Sequence, residues 1–270
     1  MLTRRTLLIA AAALTATPAR AQDRLKVIAT FSILADFVKN VGGERVDVAS
    51  LVGSNSDAHV YAPTPADARK LAEAKLVIVN GLGLEGWMTR LVKASGTKAA
   101  TITATTGIAT RKMEDAHHGG RMVTDPHAWQ SVANAKVYVA NIRDGLAKAD
   151  PSAKAAYEAN ATAYLAKLDA LEKDVKAAVE KIPAERRRII TSHDAFGYFG
   201  AAYGVTFIAP EGVSTESQAS AKDVAKIIEQ IRKQKIPAVF LENISDPRLM
   251  QQIAKETGAK IGGTLYSDAL

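Results

Sequence analysis

Two stretches in which short apolar strands alternate with amphipathic helices flank one unusually long helical run. Asp150 and Pro151 open that run and Pro183 ends it, with Tyr157, Ala161, Tyr164, Leu168, Leu171, Val175 and Val179 recurring along one stripe. At 1.5 Å per residue it reaches roughly 45 Å, several times the usual three turns. A helix of that length with α/β patterns on both sides reads as a rigid spine rather than a member of a bundle. Strands separated by helices of about ten residues call for mostly parallel sheets covered on both faces. The expected fold is therefore α/β: two α/β lobes with mostly parallel sheets joined by a long rigid helix. The first lobe is expected at 22–149, the linking helix at 150–183 and the second lobe at 184–270.

In the first lobe, Leu25 to Thr30 reads as a strand, followed by a helix from Ser32, a capping candidate, to about Val41 before Gly42 and Gly43. Arg45 to Val52 alternates like a strand. Thr64, Pro65 and Asp67 supply a cap residue, a proline at the first helical position and an acid in the first turn. Leu76 to Asn80 is a buried-type strand. In the second lobe the expected strands are 188–192, 205–208, 238–242 and 260–266, with helices at 195–203, 219–235 and 247–257. An α/β lobe normally places a helix after its last strand, so the end at Leu270 suggests truncation.

The first 21 residues are expected to be removed. Met1 to Arg5 is short and basic, Leu7 to Leu14 is apolar, and Ala19-Arg20-Ala21 offers small residues for cleavage before Gln22, the pattern of a secretory signal peptide. The apolar run is too short to span a bilayer. Arg4 and Arg5 also fit a twin-arginine export motif. No cysteine occurs, so neither a disulfide nor a thiolate ligand nor a lipidated cysteine is available; a free periplasmic protein without a lipid anchor is expected. Loss of Arg4, Arg5 and Arg20 lowers the net charge from +7 to +4. No dense basic block with interleaved aromatics occurs, which argues against nucleic-acid binding.

Four candidate metal ligands stand almost evenly along the chain, at His59, His127, His193 and Asp268. Hydrolytic zinc sites usually draw two ligands from one helical turn. Here folding must unite four distant loops, which suits a cleft between two lobes closing on a transition-metal ion. His59 precedes Pro63 and the capped helix. His127 follows Pro126, with Trp129 as an apolar wall and Asp125 either as acceptor for a ring N–H or as a helix cap. His193 follows an expected strand, where ligands gather in open α/β sheets. Ser192, His193 and Asp194 are adjacent and cannot converge as a catalytic relay.

Several segments are similar to motifs of the periplasmic solute-binding proteins of zinc and manganese ABC importers. They are His-Val-Tyr-Ala-Pro-Thr-Pro-Ala-Asp at 59–67, Asn-Gly-Leu-Gly-Leu-Glu-Gly-Trp at 80–87 and Asp-Pro-His-Ala-Trp at 125–129. They continue with Ser-His-Asp-Ala-Phe-Gly-Tyr-Phe at 192–199, Ser-Thr-Glu at 214–216 and Tyr-Ser-Asp at 266–268. The resemblance spans the mature chain. It implies an ion at the lobe interface, held by His59 and His127 from the first lobe and His193 and Asp268 from the second. Manganese-binding relatives typically place a glutamate at the third position, where this chain has His193. Three imidazoles and one carboxylate favour Zn2+ as the transported ligand, with Mn2+ as the alternative. The implied partners are the membrane permease of a metal ABC importer and, as a further candidate, a periplasmic metallochaperone, with the protein a monomer.

The chain differs from many zinc members in lacking a long His-rich loop; only His117-His118-Gly-Gly120 stands there. With a short C-terminus, Glu216 or water is the expected substitute should Asp268 be displaced. A zinc hydrolase is the competing class, with Glu242 or Asp194 as nominal bases. Four protein ligands would fill the tetrahedron and leave no open position for water, so a non-enzyme is expected.

Overall fold

The computed structural model describes residues 23–115 and 121–270. The expected signal peptide and the pair His117 and His118 lie outside the described residues.

The first lobe is built on a four-stranded parallel sheet. Its strands are β1 (Leu25–Phe31), β2 (Val46–Val52), β3 (Leu76–Val79) and β4 (Ala100–Thr103), in the order β2-β1-β3-β4. Helices α1 (Ser32–Gly42), α2 (Pro65–Glu73) and α3 (Met88–Ser95) connect them. Parallel strands need crossovers, and buried runs such as Val27 to Ala29 and Leu76 to Ile78 supply the apolar surface that those helices cover. An antiparallel hairpin, β5 (Lys112–Asp115) and β6 (Arg121–Thr124), leads to α4 (Val132–Ala149).

Helix α5 (Lys154–Glu180) follows a short 3-10 turn at Pro151–Ala153. Its stripe is buried at Tyr157, Ala161, Leu168 and Val179, whereas Leu171 is exposed. The helix packs against the first lobe: Tyr164 meets Phe37 of α1, with ring centroids 6.1 Å apart, and Asn160 Nδ2 donates to Val41 O. Near its far end, Tyr203 of the second lobe donates to Glu172. The long helix thus continues the first core and reaches the second lobe.

The second lobe repeats the plan. Strands β7 (Arg188–Ile190), β8 (Thr206–Ile208), β9 (Ala238–Glu242) and β10 (Lys260–Leu265) form a parallel sheet in the order β10-β9-β7-β8. Helices α6 (Gly197–Tyr203), α7 (Ala221–Gln234) and α8 (Arg248–Thr257) cover it. Ile227, Ile228 and Ile231 of α7 and Met250 and Ile253 of α8 pack with Ile190 and Val239 in a small separate core.

One local expectation changes. Ser32 does not cap α1: Phe31 holds the cap position without a side-chain bond, and Ser32 Oγ instead accepts from the N–H of Leu270 at 3.0 Å. Strand β4, the hairpin and α4 had no counterpart in the sequence reading. Residues 100–103 are mostly exposed at a sheet edge, and so lack the alternation that marks a strand.

Candidate metal centre

The loops that carry the four candidates each follow a strand, and hydrogen bonds fasten each of them. His59 lies past β2. Its N–H donates to Asp57 Oδ1 at 2.8 Å, and Trp87 Nε1 fixes the neighbouring Ala58 carbonyl at 2.8 Å. Downstream, Thr64 and Asp67 form a reciprocal capping box at the start of α2, and Tyr61 donates to Asp67 Oδ2. Across the gap, Thr215 Oγ1 donates to Asp57 Oδ2 at 2.6 Å.

His127 follows β6. Asp125 Oδ1 accepts from its backbone N–H at 3.0 Å and contacts its Nδ1 at 2.9 Å. Asp125 therefore serves the imidazole and caps no helix. Asn80 Nδ2 holds the Pro126 carbonyl, while Tyr138 of α4 donates to Asn80 Oδ1. The Trp129 ring packs edge-on to His127 at 5.3 Å, forming the expected apolar wall. From the second lobe, Tyr198 Oη donates to Asp125 O at 3.2 Å. The adjacent Gly197 leaves the space that this approach needs, since a Cβ there would fall 2.6 Å from Asp125 Oδ2.

His193 sits beyond β7, with its backbone N–H and that of Ser192 donating to Glu242 Oε1 at 2.9 and 2.7 Å. Its Nδ1 lies 2.5 Å from Glu242 Oε2. Asp268 follows β10; the preceding Ser267 carbonyl accepts from Trp129 Nε1 and Gln130 Nε2 of the first lobe. Asn243 Nδ2 holds the following Ala269 carbonyl. These bonds seat the chain's last residues, and Asp268 is fully buried. Glu216 is exposed.

All four candidates are brought together. Asp268 Oδ2 lies 3.2 Å from His59 Nε2 and 3.3 Å from His193 Nε2; Asp268 Oδ1 lies 3.5 Å from His127 Nε2. His59 Nε2 and His127 Nε2 are 3.1 Å apart, and one donor atom from each residue falls within 4.8 Å of the others. Yet both ring nitrogens of His193, Glu242 Oε2 and both Asp268 oxygens, though buried, make no aligned hydrogen bond. For an ion bound at about 2.0–2.1 Å, a tetrahedron has edges near 3.3 Å, the spacing of the contacts to Asp268.

Burial opposes charge on His127, His193 and Asp268, and the partners outweigh it. Burial would lower the His127 pKa, but the Asp268 carboxylate and the Asp125 contact push it up to about 9. His193 is likewise raised well above the usual value, against burial, by Glu242 and Asp268. Asp268 is held well below the ordinary carboxylate range by His127 and His193, again against burial. Asp194 is pushed up to about 6, first by burial and then by the Asp125 charge. In the ion-free protein, protons on imidazole balance the buried carboxylates; a divalent cation would supply that positive charge instead.

Residues 27–270 match the family described as zinc-uptake complex component A, periplasmic. The chain belongs to that family. It is 35% identical over 254 residues to the manganese ABC transporter substrate-binding lipoprotein PsaA of Streptococcus pneumoniae, covering 92% of this chain and 81% of that protein. It is 36% identical over 254 residues to the iron-binding protein YfeA of Yersinia pestis, covering 94% and 80%. Among solved structures, the periplasmic zinc binding protein TroA of Treponema pallidum superposes with a TM-score of 0.86 at 31% identity, covering 92% of this chain and 90% of that one. These likenesses make the protein a substrate-binding component of a metal ABC transporter. The lipoprotein names of relatives run against the expected unanchored form, although none of the 270 residues is a cysteine. No described helix is long and apolar enough to cross a membrane.

The sequence reading missed how the site is held. Asn80, Tyr138, Tyr198 and Thr215 have no metal-ligand chemistry to mark them, and Glu242 stood out only as a nominal base. In the fold, its carboxylate faces a histidine ring.

Proposed function

We propose that this protein captures one Zn2+ between its lobes through His59, His127, His193 and Asp268, and delivers it in the periplasm to the permease of an ABC importer. The observation that carries this reading is the convergence of four buried side chains, two from each lobe, whose candidate donor atoms lie within 4.8 Å of one another. Membership of a metal-importer family supports transport as the role. Ion choice rests on the donors: three imidazole nitrogens and one carboxylate favour zinc over manganese, which prefers more oxygen.

Manganese is the second reading, favoured by the names of the streptococcal relatives. Native mass spectrometry after competitive loading with equal Zn2+ and Mn2+ separates the two. One zinc retained per chain is the expected result. Retention of manganese would overturn the zinc assignment while leaving the transport role intact.

A further inference from the structure

We propose that Glu242 is the positioning residue that gives this site its preference for zinc, acting through His193. The inference rests on the zinc reading above and assigns the origin of the selectivity.

Sheet order puts Glu242 where it can act. β9 lies between β10, which feeds Asp268, and β7, which feeds His193. Glu242 is the last residue of β9, so its side chain emerges between both ligands of the second lobe. It is 4% exposed. Its two oxygens do different work. Oε1 accepts from the backbone N–H groups of Ser192 and His193, which fixes the loop. Oε2 faces His193 Nδ1 at 2.5 Å. The two atoms are not aligned as a hydrogen bond in the ion-free arrangement, but a carboxylate this close favours the ring proton on Nδ1, which turns the Nε2 lone pair to the cluster and makes the ring a stronger donor.

The site is asymmetric in this respect. Among the described residues, no ion pair or hydrogen bond reaches His59 Nδ1. His127 has Asp125, but the Arg111 guanidinium stands 4.0 Å from Asp125 Oδ2 and shares its charge. Glu242 has only His193 as an ion-pair partner among the described residues. Of the two imidazoles backed by a carboxylate, His193 is the one whose carboxylate has no Lys or Arg in ion-pair range among the described residues. A stronger nitrogen donor benefits zinc more than manganese, because affinity for nitrogen rises along the divalent series.

Glu242→Gln tests this. The amide oxygen can still accept from the two backbone N–H groups. Its NH2 would then face Nδ1 and favour the tautomer with a proton on Nε2, pointing at the ion. Zinc affinity, read by chelator competition, should fall about 10–100-fold. Manganese affinity should fall less, so the zinc-to-manganese ratio drops. The absorption bands of the Co2+-loaded protein should shift, and Glu242→Asp should recover part of the ratio. An unchanged ratio, or equal loss of both metals, overturns the inference. Should the glutamine variant not fold, 15N NMR of the zinc-loaded wild type still decides: a proton on His193 Nδ1 with metal on Nε2 is expected, and the reverse tautomer overturns it. A wild type without zinc preference would sink the functional reading instead; a zinc-preferring wild type with an unaffected variant sinks only the role of Glu242.

Discussion

At the scale of single residues, the site is a balance between protons and metal. Because the folded, ion-free His127 titrates at about 9, it is mostly protonated at neutral pH, and zinc must displace that proton. The reference histidine value near 6.5 would place the loss of affinity below about pH 6.5. The raised value moves its onset upward. Zinc affinity should therefore decline steadily from about pH 9 downward, by about tenfold per pH unit for each proton displaced. Chelator competition at pH 8 and pH 6 checks this; equal affinities would contradict it. His193→Ala and Asp268→Ala should each weaken zinc by more than the 10–100-fold typical of outer hydrogen-bond partners, read by isothermal titration. The clustering of His59, His127, His193 and Asp268 was legible because each stands beside a strand end or a proline-fixed turn. Their partners were not. Glu242 lies 49 residues from His193, and Thr215 lies 158 from Asp57, so only folding reveals those pairings.

At the scale of elements, local chemistry sets the loop that presents His59. Thr64→Ala should cost about 1 kcal/mol of stability by removing the cap of α2, measured by urea unfolding. Asp67 adds a pH signature. Burial works against its charge, but hydrogen bonds from Thr64, Tyr61 and Lys70 hold its pKa down at about 2, against an ordinary 3.8. A lowered folded pKa stabilises the protein above the unfolded value. That contribution is present above pH 3.8 and fades as the pH falls to about 2. Thr64→Ala should flatten the loss of stability in this window. This cap was legible because Thr64, Pro65 and Asp67 fall in the sequence order that a helix start requires. Ser32 misled, since its hydroxyl meets the distant Leu270 and not its own helix. Strand β4 escaped notice because an exposed edge strand has no apolar period to display.

At the scale of the whole molecule, two cores of unequal size flank the cluster of candidate ligands. The first extends from β1 through α4 and α5 to Tyr198 and Tyr203, while the second gathers around Ile190, Val239 and Met250. Direct bonds between the lobes include those from Trp129 and Gln130 to Ser267, from Thr215 to Asp57, from Tyr198 to Asp125, from Asn243 to Asn55 and from Leu270 to Ser32. An ion drawing two ligands from each side should stabilise the closed arrangement. Zinc at a hundred times its dissociation constant contributes about 2.7 kcal/mol. For a chain of this size that raises Tm by about 5–10 °C, read by differential scanning calorimetry with and without chelator. The alternation of strands and helices around one long helix made the two-lobed plan legible. The packing of α5 against α1 was not, because a stripe shows that a helix face is buried without naming what buries it.

The central claim is that three imidazoles and one carboxylate close on a single cation. Crystals of the zinc-loaded protein, measured on both sides of the zinc absorption edge, test it directly. The account predicts one anomalous peak at about 2.0–2.2 Å from the Nε2 atoms of His59, His127 and His193 and from an Asp268 oxygen. A peak bound elsewhere, or one that leaves any of these four side chains out of contact, would contradict it.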